Sequence, residues 1–337
     1  MKRWLKVSYK TVIQLLIGVT VLWVLVQIVG QDKLFYSLTK LDPLLVILAA
    51  AFFIVASLFV SLALYIPLKS SSSTVSSPKV ILASFAGQLL SDLTPSRSGY
   101  FLTPFLLKGL AEVPLSQGLM SVLATGAINS IVKVLLCCIA LIYFIRLAPL
   151  DPVIVNVLPI SLIVLLAGGI FLLLVIMEKR MVNIIKKLEK IPLLSKWIGR
   201  FVGVLEKVQV ECRKSKRALI MVGTLILLSV IANAAALKFV SLSLQLHNPP
   251  GFIDFLFMVS IGSALMYLPV TIAGLGVQEA GYVIILQTVF KIPMSEALAF
   301  ALIARALFTG TDIIGIFPLL KIGLKVDYDS SSIQQQL

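Results

Sequence analysis

Long apolar runs dominate this chain and restrict the folds open to it. Six of them reach roughly the 18 residues that an α-helix needs to cross the hydrocarbon core of a bilayer. They cover about residues 11–30, 44–66, 118–144, 153–177, 218–246 and 296–320. Hydrophobic residues make up 59% of the 337 residues and charged residues only 13%, unlike a soluble domain. The sequence therefore predicts an all-α, polytopic integral membrane protein with about six full spans.

Two further apolar regions, residues 80–108 and 252–291, are interrupted by Pro and Gly. Each could be a re-entrant hairpin or a pair of short spans. After each region comes a copy of one short pattern (Val or Ile, Pro, Leu or Met, Ser), beginning at Val113 and at Ile292. We expect the Pro to end one element and the Ser segment to start the next helix. Paired broken segments of this kind are typical of transporters that bind substrate between two repeats.

The positive charge of the chain is concentrated in one segment, and it predicts an orientation. The net charge is +14, and residues 178–217 hold 12 Lys and Arg against 4 Glu. Such basic loops face the cytoplasm and its anionic lipids, so nucleic-acid binding is not expected. Apolar residues at helical spacing in the segment predict an amphipathic helix on the membrane surface. We expect a multi-pass cell-membrane protein with this segment and the basic N-terminus in the cytoplasm.

The same orientation predicts how the two broken regions are arranged. Four clear spans separate the N-terminus from the basic segment, so the first broken region must return to the side that it entered. The first hairpin then enters from the cytoplasmic side and the second from the opposite side. Repeat-like halves at about 80–144 and 252–320 would thus form an inverted repeat within a single transmembrane domain, 1–323. The tail, 324–337, is expected to be disordered.

Residues that common enzyme and metal sites need are scarce in this chain. Three cysteines give no disulfide framework, and the single histidine, His247, supports neither a zinc cluster nor a His-based triad. Gly274 and Gly276 lack the third glycine and the strand context of a dinucleotide-binding loop. We therefore expect no catalytic residue, no metal and no cofactor, and the chain is not expected to be an enzyme.

Ionisable side chains at membrane depth are costly, so they mark candidate functional residues. They are Asp92, Arg97, Lys133, Lys238, Asp254, Glu279, Arg305 and Asp312. If Pro95 ends a half-helix, Arg97 could hold a lipid phosphate by bidentate hydrogen bonds. The alternatives for Arg97 are a salt bridge to Asp92 or Glu279, or snorkelling to the membrane interface.

The second-half candidates also have two interpretations each. Glu279 either caps the helix that it opens, where backbone N–H groups favour a carboxylate, or faces a cavity and meets a cationic headgroup or a proton. Arg305 and Asp312 lie about two turns apart on one face of the last run. Pairing between helices, for example of Arg305 with Glu279, is the alternative to substrate contact. Lys133 and Lys238, near the middle of their runs, could pair or line a water-filled path.

Residues 268–279 (LPVTIAGLGVQE), followed by Ala297 and Arg305, resemble the second-half signature of the lysylphosphatidylglycerol synthase transmembrane-region family, also called flippase-like. Residues 94–99 (TPSRSG) are similar to its first-half signature, and the resemblance covers about residues 10–323. Two positions depart from the family. Tyr100 stands where many relatives carry Glu, and Lys133 is the only charge where the family often has an acidic residue and an Arg.

The resemblance implies the lipid-translocating membrane part of that family, without its synthase domain. The candidate substrate-binding residues are Thr94, Pro95, Arg97, Gly99, Gly274, Gly276, Gln278, Glu279, Arg305 and Asp312. We expect the substrate to be a membrane lipid, anionic or headgroup-modified. A separate synthase or glycosyltransferase, or a second copy of the chain, could be a partner.

Two other functions compete with translocation of a lipid between leaflets. A non-catalytic membrane subunit could dock a separate lipid-modifying synthase or glycosyltransferase through residues 178–217. A membrane-embedded transferase would need a soluble donor site, and the loops are too short to build one. Translocation is therefore the leading hypothesis.

Overall fold

The computed structural model describes residues 9–71, 75–147, 152–187, 202–203, 205–210, 216–268 and 270–321. Within these ranges the fold is all-α, as the apolar runs predict, and the only strand-like pairing is one isolated bridge. Residues 1–8, half of the basic segment and the tail lie outside the described residues. The cytoplasmic orientation and the disorder that we assigned from them therefore stay predictions.

The first helices show that Gly30 ends the first apolar run. α1 (Tyr9–Val29) and α2 (Gln31–Thr39) meet there at an angle of 88°. Gly30 has φ of +84°, a conformation that glycine adopts at little cost, so the chain can turn sharply. The apolar runs did not predict α2, because its nine residues mix polar and apolar side chains and are too few to cross a membrane. It leads directly into α3 (Pro43–Ser71).

Four helical stretches are long and apolar enough to cross a membrane. They are Pro43–Ser71, Leu115–Leu147, Ala218–Ser243 and Met294–Lys321, and the bent α1–α2 pair would make a fifth among the described residues. They correspond to α3, α6 (Leu115–Leu147), α9 (Lys216–Ser243) and α12 (Met294–Asp312, extended through a 3₁₀ turn at Ile313–Gly315). The remaining run forms α7 (Pro152–Met177). These lengths indicate a multi-pass helical membrane protein, and the count of six stays a prediction.

Each broken region forms two helices that are too short to cross a bilayer. The first contains α4 (Ser77–Asp92), a 3₁₀ turn (Ser98–Leu102) and α5 (Thr103–Ala111). The second contains α10 (Phe252–Leu265) and α11 (Val277–Thr288). Even α4, with 16 residues, is only about 24 Å long. A typical hydrocarbon core is about 30 Å thick. The segment between the two short helices of each region, called a break below, therefore lies at membrane depth if the outer ends of the helices lie at the membrane surface.

The basic segment begins with a helix, as predicted. α8 (Lys179–Lys187) buries Val182 against Val175, Val202 and Leu205, so its apolar residues have a partner within the protein. Its position on the membrane surface stays a prediction.

Small side chains hold the long helices together around the breaks. Ala49, Ala56 and Ala63 of α3 and Ala234 and Ala236 of α9 are all buried. Because lipid is as apolar as a leucine side chain, helices in a membrane associate through close packing, which small residues permit. The resulting scaffold positions the breaks between α3, α6 and α12.

Candidate functional site

The two breaks have the same backbone pattern and meet each other. Residues 96–97 have φ of +51° and +56°, and residues 273–274 have φ of +45° and +71°. The residue before each pair, Pro95 or Ile272, forms the antiparallel bridge with the other. Three of these four residues are not glycine, and non-glycine residues rarely adopt positive φ, so paired instances at matching places indicate a shared local structure. The sequence similarity of the two regions thus extends to their geometry.

The repeated Pro-containing pattern marks the start of a long helix, as predicted. α6 begins at Leu115 and α12 at Met294, one residue after each Pro. The residue before each pattern is left-handed, with φ of +57° at Glu112 and +58° at Lys291. The next backbone N–H then donates to a carbonyl six positions earlier, at 3.3 Å in the first half and 3.0 Å in the second. Each short helix therefore ends with the same cap.

Thr94 and Gly99 shape the first break. The backbone N–H of Gly99 donates to Thr94 Oγ1 at 2.6 Å, and Thr94 Oγ1 donates to the carbonyl of Leu90 at 3.1 Å. A Cβ added to Gly99 would overlap that same Leu90 carbonyl. Only a residue without a side chain fits at position 99, because the chain folds back on the end of α4.

This close approach predicts that Gly99→Ala destabilises the protein by about 1–3 kcal/mol, the usual cost of overpacking. Gly310→Ala is the matched control, because a Cβ at Gly310 in α12 meets nothing within 4 Å. Alanine favours the helix there, so this variant should unfold at the wild-type temperature or slightly above it. Thermal unfolding of the purified variants in detergent would measure the difference. Equal unfolding temperatures for both variants would contradict the packing at Gly99.

A cavity of about 350 Å³ lies between the breaks. This volume is in the range of small-molecule sites. Its charged lining residues are Arg97, Lys133, Glu279 and Arg305, and both halves of the chain contribute. Amide and hydroxyl groups from Asn129, Asn233, Gln278 and tyrosines 100, 267 and 282 add hydrogen-bonding capacity. A polar chamber of this kind within an apolar helix bundle has room and hydrogen-bonding groups for a charged or strongly polar group.

Arg97 is ion-paired at the edge of the cavity. Its Nη2 lies 3.1 Å from Asp92 Oδ1, and its Nε donates to Ser91 Oγ at 2.7 Å. The guanidinium also lies 5.5 Å from the ring centre of Phe308. The Arg97 side chain keeps 13% of its surface exposed, while the Asp92 side chain keeps only 2%. The salt bridge to Asp92 that the sequence left as an alternative is therefore present, and Arg97 still reaches the cavity.

Glu279 and Arg305 form the corresponding group in the second half. Glu279 Oε2 accepts a hydrogen bond from the backbone N–H of Gly276 at 2.7 Å, which caps α11. Its Oε1 lies 3.5 Å from Arg305 Nε. Arg305 also donates to the carbonyl of Ala273 at 3.1 Å and to Gln278 Oε1 at 3.0 Å. Glu279 therefore caps its helix and also lines the cavity, and its contact with a cationic headgroup or a proton stays a prediction.

Asp312 lies outside the cavity lining, beside the Asp92–Arg97 pair. It is 1% exposed, its Oδ1 accepts from Ser57 Oγ at 3.5 Å, and its carboxyl lies within hydrogen-bonding range of Asp92. Asp312 therefore belongs to a buried charge cluster and does not line the cavity.

Lys133 also lines the cavity, although it is not among the ten substrate-binding residues that we predicted from the sequence. Its Nζ lies 5.3 Å from the ring centre of Tyr267, whose hydroxyl accepts a hydrogen bond from Asn129 Nδ2 at 3.3 Å. No carboxylate among the described residues forms an ion pair with Lys133. The sequence signal for Lys133 was its position near the middle of a long apolar run, which forms α6. Lys238, by contrast, donates to the carbonyl of Pro250 at 2.8 Å and serves the fold.

The structure divides the ten predicted site residues into two groups. Arg97, Gln278, Glu279 and Arg305 line the cavity. The other six build the breaks or the buried charge cluster: Thr94, Pro95, Gly99, Gly274, Gly276 and Asp312. Among the described residues, no group of three or more His, Cys, Asp or Glu side chains could hold a metal ion.

The sequence profile of one family, described as lysylphosphatidylglycerol synthase TM region, matches residues 11–313. No curated protein sequence matches the chain significantly. Both breaks, the cavity lining and the charge cluster fall within the matched residues, which ties them to a membrane protein of lipid metabolism or transport. Since the match spans nearly all of its length, the chain belongs to the lysylphosphatidylglycerol synthase transmembrane-region family.

Proposed function

We propose that this protein moves an anionic phospholipid between the two leaflets of a membrane. The observation that carries the proposal is Lys133, a cation in the wall of the cavity with no carboxylate partner among the described residues. An unpaired ammonium at membrane depth is expensive, and a phosphate would supply its missing counter-charge. Asn129 and Asn233 line the same wall and could donate to the phosphate or to a headgroup hydroxyl.

Exposed apolar side chains along one edge of the cavity favour a lipid over a soluble anion as its ligand. Val164 of α7 and Phe101 of the first break both line the cavity, and each keeps about half of its surface exposed (50% and 49%). Leu102 and Phe105, next to Phe101, are exposed as well. Apolar side chains of this kind would face acyl chains. A headgroup could enter between α7 and the first break while its acyl chains stay in the bilayer.

The two breaks also support an inverted repeat of re-entrant hairpins. Their helices are shorter than the hydrocarbon core, and an antiparallel bridge joins equivalent residues, as a two-fold axis in the membrane plane would require. Under this proposal, Glu112 and Lys291 lie on opposite faces of a cell membrane. Both residues are exposed, whereas Val113 and Ile292 are buried.

Cysteine labelling tests the arrangement. In a cysteine-free background, Glu112→Cys and Lys291→Cys should react with an impermeant maleimide from opposite sides of intact cells. The control is labelling after permeabilisation, where both positions should react. Reaction of both cysteines from the same side of intact cells would contradict the inverted repeat.

Reconstitution tests the function itself. Purified protein in phosphatidylcholine vesicles should move acyl-labelled phosphatidylglycerol between leaflets, measured as the fraction of label that an impermeant quencher cannot reach. Protein-free vesicles and labelled phosphatidylcholine, which has a zwitterionic headgroup, are the controls. Transfer no faster than in protein-free vesicles, for phosphatidylglycerol and for its aminoacyl and glycosyl derivatives, would reject the proposal.

A further inference from the structure

Two buried carboxyl groups and one guanidinium form a cluster behind the cavity wall. Asp92 ends α4, Asp312 ends α12, and their carboxyl groups lie within hydrogen-bonding range of each other. Arg97 is the cation paired with them, 3.1 Å from Asp92. Neither carboxylate reaches the cavity surface, so the lipid-binding role proposed above does not use them.

The charges of this cluster do not balance if both carboxyl groups are ionised. Two negative charges in contact repel each other strongly away from water, and one guanidinium neutralises only one of them. The hydrogen bonding is also incomplete: Asp92 Oδ2 and Asp312 Oδ2 are buried and have no donor among the described residues. A single proton held between the two carboxyl groups removes both problems, because it cancels the excess charge and gives one oxygen a donor.

The species that completes the cluster is a proton rather than a metal cation. Arg97 already pairs with Asp92 and would repel a second cation. Asp312 has one further described partner, the hydroxyl of Ser57 at 3.5 Å, so oxygen ligands for sodium or calcium are few. The other charged or titratable groups around the cluster are Tyr100, Tyr267 and, beyond them, Lys133.

Arg97 connects this cluster to the cavity, because the same guanidinium lines the cavity wall. If a lipid phosphate draws Arg97 away from Asp92, the shared-proton pair keeps one negative charge without a counter-ion. Uptake of a second proton would restore neutrality in this buried position. When the phosphate leaves and Arg97 returns, that proton leaves too. Each anionic headgroup would therefore be accompanied by one proton.

We propose that Asp92 and Asp312 form a proton site that couples the movement of an anionic lipid to the movement of one proton in the same direction. This inference rests on the proposed lipid translocation and supplies its energy source. No covalent bond changes: a carboxylate of the pair gains a proton from one side of the membrane and later releases it on the other.

A pH gradient across reconstituted vesicles tests the coupling. With the membrane potential clamped by potassium and valinomycin, a gradient of one pH unit should enrich labelled phosphatidylglycerol in the alkaline-side leaflet by up to about tenfold for one proton per lipid. The random orientation of the protein does not alter this limit. Replacing both carboxyl groups, Asp92→Asn with Asp312→Asn, should abolish the enrichment, because an amide can donate like a protonated carboxyl but cannot take up or release a proton. Glu296→Gln, which changes a buried carboxylate outside the cluster, should leave the enrichment intact.

Infrared spectroscopy tests the shared proton without any transport. At neutral pH the wild type should show the carbonyl stretch of a protonated carboxyl group, and Asp312→Asn should remove that band while Glu296→Gln keeps it. Absence of the band in the wild type would overturn the inference. Wild-type protein that moves lipid with no response to the pH gradient would overturn the coupling and leave the proposed function standing. No lipid movement under any gradient would overturn both.

Discussion

Replacing Arg97 with Leu should destabilise the protein by about 3–5 kcal/mol, the usual cost of removing one partner of a buried ion pair. The reason is that Asp92, with a side chain only 2% exposed, would lose its sole described cation, and Asp312 lies beside it. Ser91 would also lose the 2.7 Å hydrogen bond from Arg97. Thermal unfolding and size-exclusion profiles in mild detergent would measure the loss.

A double variant separates charge imbalance from lost packing. Arg97→Leu with Asp92→Asn removes both members of the pair and leaves Asp312 free to stay neutral, so it should recover most of the lost stability. Lys108→Leu is the matched control, because Lys108 is an exposed cation on α5 and its loss should change stability little. The ion pair would be unimportant if Arg97→Leu alone unfolded at the wild-type temperature.

Replacing Lys133 with Met should slow transfer of labelled phosphatidylglycerol at least about thirtyfold, corresponding to the 2 kcal/mol or more that a desolvated charge contact contributes. Methionine keeps the length and flexibility of the chain beside Tyr267 but removes the charge. The fold should survive, since Lys133 has no carboxylate partner among the described residues that would be left unpaired.

The controls for Lys133 isolate its charge. Lys133→Arg should retain much of the transfer, whereas Lys108→Met, a neutralisation on the exposed surface of α5, should not slow it. The same assay with zwitterionic phosphatidylcholine should respond weakly to Lys133→Met. Wild-type transfer rates for Lys133→Met would remove the phosphate contact from the proposed mechanism.

The sequence predicted those helices, and those helix starts, that depend on residues close together in the chain. The apolar runs predict α1, α3, α6, α7, α9 and α12, because a continuous run of membrane length satisfies its backbone hydrogen bonds only as a helix. The starts of α6 and α12 follow from Pro114 and Pro293, since a proline fits the first turn of a helix but not its interior. α2 was missed, because nine residues of mixed polarity carry no such signal.

The roles of the charged residues were less predictable. Position in the chain marked Arg97, Glu279 and Arg305 as candidates, and the structure adds that each has a partner within its own half. It also separates Lys133, which has no carboxylate partner among the described residues, from Lys238, which donates to a nearby carbonyl. Both lysines interrupt apolar runs near their middle, so the sequence ranked them alike. The difference comes from neighbours that are distant in the chain.

The sequence by itself determined that this is a helical membrane protein with two broken segments, because burial of backbone in lipid leaves few alternatives to helices. Its motifs were sufficient to identify the family. Only the tertiary structure decided which charges neutralise one another and which cation in the cavity wall has no carboxylate partner among the described residues. Asp92 and Asp312 are far apart in the chain and share a cluster because α4 and α12 pack together. Charge balance at membrane depth is a property of such contacts, and no local pattern specifies it.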